Sequence, residues 1–202
     1  MLNKKYLQVL LSAKLGDGCY VEQSGRHYLQ FVSYHLDYIT HIKSKLDSKG
    51  FYTSNLRIQK SGYKKDSFGY AFSTRVDVRL DNVAEMSVLQ VLDNIDIEGL
   101  CYFFLDDGSF HQKKHFGHLY CNTFTDIEVD KLVQVFYKFY PQKLCKKRID
   151  KKKDGRSYPY IYIPVAVMDS FRIDLKKFLM KYDLQSFYYK IGQPSQTIER
   201  QK

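Results

Sequence analysis

The sequence predicts an α+β fold built from two pseudo-symmetric halves, each running helix, hairpin, helix, hairpin, helix (αββαββα). Three observations carry this reading: an internal repeat, a recurrent switch between helical and alternating apolar periodicity, and an Asp-Gly pair closing the first helix of each half.

The repeat has a shift of about ninety residues. Leu10 to Gly18 reads LLSAKLGDG, and Leu100 to Gly108 reads LCYFFLDDG. Tyr28 to Tyr34 (YLQFVSY) faces His118 to Phe124 (HLYCNTF), Arg57-Ile58 faces Arg148-Ile149, and Tyr70 to Ser73 (YAFS) faces Tyr160 to Ile163 (YIYI). Four pairs in the same order indicate two related halves rather than one chance likeness. The boundaries read from this pattern are 1–94 for the first half, 95–192 for the second, and 193–202 for a tail.

The elements follow in order. An apolar helix runs to Gly18 or Gly108, where glycine is expected to leave the helix through a left-handed conformation. A hairpin follows, turning near Ser24-Gly25 in the first half and near Gly117 in the second. Next comes an amphipathic helix. It spans Leu36 to Lys49, with Ile39, Ile42 and Leu46 on one face, or Ile127 to Tyr140, with Leu132, Val135 and Phe136. Gly50 and Pro141 stop these helices. A second hairpin covers Asn55 to Arg79 and Leu144 to Ile163, with basic tips SGYKKDS and DKKKDGR. The closing helices are expected over Val83 to Leu92 and Val165 to Tyr182.

At 202 residues with 44% apolar side chains the chain can bury a substantial core, which excludes disorder as its main state. Lys14 interrupts the N-terminal apolar run and no small-residue cleavage site follows, so the segment reads as a mature helix rather than a signal peptide. No stretch approaches the ~18 apolar residues of a membrane span, so a soluble intracellular protein is expected. Cys19, Cys101, Cys121 and Cys145 show no metal-binding spacing and read as reduced thiols. His111, His115 and His118 are close in sequence, but their segment reads as a strand, so surface or nucleic-acid contacts explain them better than a metal cluster. The net charge of +10, from 32 Lys and Arg against 22 Asp and Glu, favours a polyanionic partner.

Asp17 and Asp107 stand where a helix presents its negative end, which costs a carboxylate about 0.3–1 kcal/mol. A single Asp-Gly is an ordinary turn dipeptide. Two in register point instead to a bound cation, which turns mutually repelling carboxylates and carbonyls into hard oxygen ligands. If the first helices bring the halves together, the two carboxylates share one site. Ser12 and Gly16 would allow close helix contact there, whereas Tyr102 and Asp106 hold the matching places, so full symmetry is not expected. Paired carboxylates with divalent metal suit phosphodiester hydrolysis.

Basic hairpins surround this pair. Lys143 to Arg156 (KLCKKRIDKKKDGR) has eight basic and two acidic residues. A charge run of this kind is often only a solvated face. Here it lies on a hairpin matched by another carrying Arg57, Lys60, Lys64, Lys65 and Arg75. Two-stranded ribbons can enter a major groove and read base edges. The candidate DNA contacts are those five residues together with Lys113, Lys114, Lys146, Lys147, Arg148, Lys151, Lys152, Lys153 and Arg156.

LLSAKLGDG resembles the first LAGLIDADG motif of single-chain homing endonucleases, and LCYFFLDDGSF resembles the LAYWFMDDGS form of the second. NTFTDIEVDKLV and the late FYYKIG are similar to further family segments, so the likeness covers nearly the whole chain. The resemblance implies two sheets forming a DNA-binding saddle with the motif helices at the interface. It implies Mg2+ or Mn2+ held by Asp17 and Asp107 with the backbone carbonyls of Gly16 and Asp106, and a basic catalytic residue at Lys190. It implies a monomer that cuts both strands of a long asymmetric DNA target, leaving short 3′ overhangs. The compartment would be the cytoplasm of a bacterium or phage-infected cell, or an organelle. Alternative readings are a maturase that binds intron RNA, and a DNA-binding protein that has lost cleavage. One departure stands out: Leu80 to Gln112, where the first-half counterpart of Lys190 belongs, has no Lys or Arg.

Overall fold

A computed structural model describes residues 4–60, 68–152 and 155–194. The chain divides into two compact units, residues 1–87 and 88–202, a division seven residues before the one read from the repeat.

The first unit contains α1 (Lys4–Leu15), β1 (Cys19–Gln23), β2 (Arg26–Ser33), α2 (Leu36–Asp47), β3 (Arg57–Lys60), β4 (Phe68–Ser73) and α3 (Val78–Ala84). Its strands form an antiparallel sheet in the order β1-β2-β4-β3. Period-2 alternation sets the two faces. Leu29 and Phe31 point to the helices, and Phe31 stacks on its cross-strand partner Phe72 at 5.7 Å. On the amphipathic α2, Ile39, Ile42 and Leu46 are all buried. Ser24 and Gly25 have φ of 51° and 74°, the positive values that a two-residue hairpin turn requires.

The second unit contains α4 (Val88–Asn94), α5 (Ile97–Asp107), β5 (Gly108–Phe110), β6 (Gly117–Tyr120), α6 (Asp126–Phe139), β7 (Lys146–Lys151), β8 (Ser157–Ile163) and α7 (Val165–Lys181). A 3-10 helix, Gln185–Ile191, follows. The sheet order, β5-β6-β8-β7, repeats that of the first unit, so the sequence repeat is a repeat of topology. Its core is strongly aromatic. Phe171 lies 5.2 Å from Phe104 and 5.5 Å from Phe136, edge to face, and truncating such a residue costs about 3–5 kcal/mol.

Four expectations are corrected. Gly108 is extended (φ −85°, ψ 155°) and Gly18 has no positive φ, so neither leaves its helix through a left-handed conformation. Glycine is needed for space instead. A Cβ on Gly18 would lie 2.5 Å from Ala13 Cβ, and one on Gly108 would lie 2.3 Å from Phe104 Cδ2. The second unit's first hairpin turns through residues 111–116, where His115 takes a φ of 58°, and Gly117 opens β6. The first half's closing helix is two short helices, because Leu80 and Val83 of α3 bury against β2 while Val91 and Leu92 of α4 bury against α6. Arg79, expected at the end of a hairpin, lies inside α3. The basic tip SGYKKDS, with Lys64 and Lys65, lies outside the described residues, as does Lys153.

Candidate functional site

In the first unit α1 ends at Leu15 and Asp17 stands on an exposed turn beyond it. The amide of Gly16 still donates to Ser12 O at 2.9 Å, and the chain then bends into β1. Tyr20 of β1 donates its hydroxyl to Leu10 O at 2.9 Å, fixing the strand to the helix that precedes it. Lys14, in the last turn of α1, donates to Ala84 O at the end of α3.

In the second unit the helix runs through Asp106 and Asp107 themselves, both half-buried, and β5 starts at Gly108. Asp96 caps the other end, accepting from Gly99 N at 3.1 Å. Lys190, only 5% exposed, donates to Phe104 O at 3.1 Å and also to Leu105 O. Its ammonium therefore sits at the negative end of α5, the end that bears Asp107, where a cation is stabilising. Its carbon stem lies among aromatic rings, with Phe187 5.6 Å and Phe104 5.9 Å from the nitrogen. Burial pushes the Cys121 thiol up to about 12, and the charge of Asp107 adds to the effect, which disfavours the reactive thiolate.

In each unit by itself, Asp17 with the carbonyl of Gly16, and Asp107 with that of Asp106, are donors of the chemistry that a hard divalent cation takes. Carboxylates and helix-end carbonyls are the oxygen donors such ions take, and Mg2+ needs only one or two protein carboxylates alongside phosphate and water. Among the described residues no group of three or more His, Cys, Asp or Glu gathers to hold a metal, so His111, His115 and His118 form no such cluster.

The candidate DNA contacts divide by strand alternation. On the helix-free face of the first sheet, Arg57 pairs across with Ala71, and Gln23, Tyr28, Gln30, Arg57, Ser73 and Arg75 line a shallow hollow. Arg75 also lies over the Tyr52 ring at 4.9 Å. Lys60 is exposed at the end of β3. On the second sheet Lys146 and Arg148 share the helix-free face, opposite Tyr162 and Tyr160. Lys147 points the other way, to Asp126 at 3.1 Å and Asp130 at 3.4 Å on α6, and its hydrogen bond to Asp126 holds its pKa above the ordinary value. Lys151 alternates with Lys147's side, and Lys152 pairs with Asp150 at 2.7 Å. Arg156 is exposed near Tyr158, while Lys113 and Lys114 are exposed in the turn between β5 and β6.

Sequence reasoning gave His118 a surface or nucleic-acid role but did not single out the aromatic side chains around it between these cations: Tyr120, Tyr158, Tyr160 and Tyr162. The alternation in HLY and YPYIYI was the available signal, because i, i+2 residues share a sheet face.

A family model described as the LAGLIDADG DNA endonuclease family matches residues 7–171. Among solved structures, the chain is similar to the homing endonuclease I-WcaI bound to its DNA recognition sequence. The TM-score is 0.71 at 22% identity, covering 95% of this chain and 87% of that one. It is also similar to the N-terminal LAGLIDADG domain of DUF199/WhiA, with TM-score 0.56 and 10% identity, covering 87% of this chain and 82% of that one. Full-length DUF199/WhiA from Thermatoga maritima gives TM-score 0.55 at 8% identity, with 88% of this chain and 60% of that one covered. No curated protein sequence matches. Among the described residues no helix is long and apolar enough to cross a membrane.

Proposed function

Because the chain belongs to the LAGLIDADG DNA endonuclease family, we propose that it is a site-specific endonuclease that cuts both strands of a long, asymmetric DNA target, leaving short 3′ overhangs. The observation that carries this reading is the doubled arrangement. Each unit carries an aspartate at or just beyond the end of its motif helix, joined to a four-stranded sheet with a cationic helix-free face.

Asp17 and Asp107, with the carbonyls of Gly16 and Asp106, are the groups that would hold Mg2+ or Mn2+. When bound, such an ion stabilises charge at the scissile phosphate and activates water. The chain's own residues bind and orient the duplex. Arg75, Lys146 and Arg148 offer charge to backbone phosphates, which fixes register without specifying sequence. Lys190 is a positioning residue for α5: it neutralises the carbonyl end of the helix that carries Asp107, leaving that carboxylate less opposed by the helix dipole.

The test is a cleavage selection on plasmids carrying randomised duplex inserts, with Mg2+, followed by Asp17→Asn and Asp107→Asn. The wild type should enrich one cut site, while each variant should lose double-strand cutting and keep most of its affinity for that site. A variant cutting both strands at the normal rate overturns the assignment of that aspartate. Binding of structured RNA without any DNA cutting supports a maturase instead.

A further inference from the structure

The helix-free faces of the two sheets carry different chemistry. The first presents amides and guanidinium groups, Gln23, Gln30, Gln59 and Arg57, with Tyr28 the aromatic member and the aliphatic Val21 and Val32 between them. The second presents a continuous aromatic band. His118 and Tyr120 of β6 stand opposite Tyr162 and Tyr160 of β8, and Tyr158 extends the row. The rings touch in sequence: His118 to Tyr160 at 4.8 Å, Tyr120 to Tyr160 at 5.8 Å, and His118 to Tyr162 at 5.9 Å. Cations border the band, with Arg148 lying over the Tyr162 ring at 5.0 Å and Lys146 beside it on the same strand. The acid on that face of β7, Asp150, is paired with Lys152.

Ring orientation decides what such a band can recognise. The interplanar angles of 39° to 62° at centroid distances of 4.8 to 5.9 Å show rings tilted against one another, each packed on a neighbour. Side chains stand roughly perpendicular to a sheet, so rings packed in this way turn edge and hydroxyl outward, a poor platform for stacking unpaired bases. In a duplex the base faces are stacked as well, and only base edges reach the major groove. The one apolar group there is the thymine C5-methyl. Amides and guanidinium groups, by contrast, match the paired donors and acceptors of adenine and guanine.

We propose that the aromatic face of the second sheet, through His118, Tyr120, Tyr160 and Tyr162, recognises thymine methyl groups, so that the half of the DNA target lying against it is A·T-rich. The first sheet reads its half by hydrogen bonds to purines. This rests on the DNA-binding reading given above, and the experiment separates the two.

Duplexes from a randomised library are enriched for binding to the full chain in EDTA, so that cleavage plays no part. The best duplex is resynthesised with deoxyuridine in place of thymidine in one half at a time, which removes only the methyl groups. In one half binding should fall about fourfold for each contacted thymine, in line with the burial of one methyl-sized group, and in the other half less than twofold. Tyr120→Thr and Tyr160→Thr, which keep strand-forming side chains, should abolish the penalty in the sensitive half. Tyr160→Phe, which keeps the ring edge, should retain it. Equal insensitivity of both halves overturns the proposal, as does a penalty unchanged in both threonine variants. A preference for the unpaired strand over the duplex overturns it in favour of base stacking. Failure to enrich any duplex overturns the DNA-binding reading itself.

Discussion

The two motif ends differ more than their sequences do. In the first unit the helix stops at Leu15 and Asp17 is exposed on a turn. In the second the helix continues through Asp107, which is half-buried. Each end has one lysine bonded to backbone carbonyls, but the two come from opposite directions. Lys14 belongs to the motif helix and reaches out to α3, whereas Lys190 belongs to the C-terminal 3-10 helix and reaches in to α5. Both motif helices thus have a lysine near their carbonyl end, but among the described residues the one in the second unit bonds to that helix's own carbonyls while the one in the first turns to α3. Related halves sharing a motif need not share the groups that support it.

The largest effect should come from breaking that difference. Lys190→Ala removes the cation from the end of α5, a helix-end charge worth about 0.3–2 kcal/mol, or roughly two- to thirtyfold in rate where it supports the reaction. Cutting of one strand should slow by that amount while the other changes little, so a supercoiled target accumulates as a nicked form. Lys14→Ala should not reproduce this. A time course with each strand labelled separately measures both. Equal slowing of the two strands would show that Lys190 supports the fold rather than one reaction centre.

A second comparison lies within β7. Lys146 and Arg148 face away from the helices and Lys147 faces α6, so their replacement by alanine should differ in salt dependence. Each lost phosphate contact lowers the slope of log affinity against log salt by about one unit. Lys146→Ala and Arg148→Ala should each do so, while Lys147→Ala should leave the slope unchanged, because its charge is spent on Asp126 and Asp130. Affinity measured across a salt series decides the matter.

The middle helices give a smaller contrast. Thr125 and Glu128 form a complete capping box at α6, whereas His35 at the start of α2 makes no side-chain cap. Thr125→Ala should cost about 1 kcal/mol, and His35→Ser should gain a few tenths to about 1 kcal/mol, read by urea unfolding.

The smallest effect is a pH dependence at His118. Burial, reinforced by the positive charge of Arg148 and by His111, lowers its pKa below the usual 6.5. The unfolded chain therefore binds more protons as pH falls below about 6.5, so stability declines over that range and rises again with pH. Above it both states are neutral and the effect vanishes. His118→Phe should flatten the dependence of Tm on pH between 7.5 and 5 by a small amount.

The sequence by itself determined the repeat, the order of elements and the positions of Asp17 and Asp107, because apolar periodicity and motif residues are local and occur twice. It located α2, α6 and α7 within a few residues, since an apolar face three or four residues apart defines a helix whatever surrounds it, and Gly50 and Pro141 stop the first two. Only tertiary structure decided that the helix expected over Val83 to Leu92 breaks, because its two ends bury against different partners. Only tertiary structure assigned Gly18 and Gly108 to steric room rather than to a left-handed turn, because the crowding atoms of Ala13 and Phe104 are set by the bend that follows. The basic run from Lys143 to Arg156 looked uniform in sequence. Strand alternation and the acids of α6 divided it into charges that face outward and charges already neutralised, and spacing alone does not record where those acids lie.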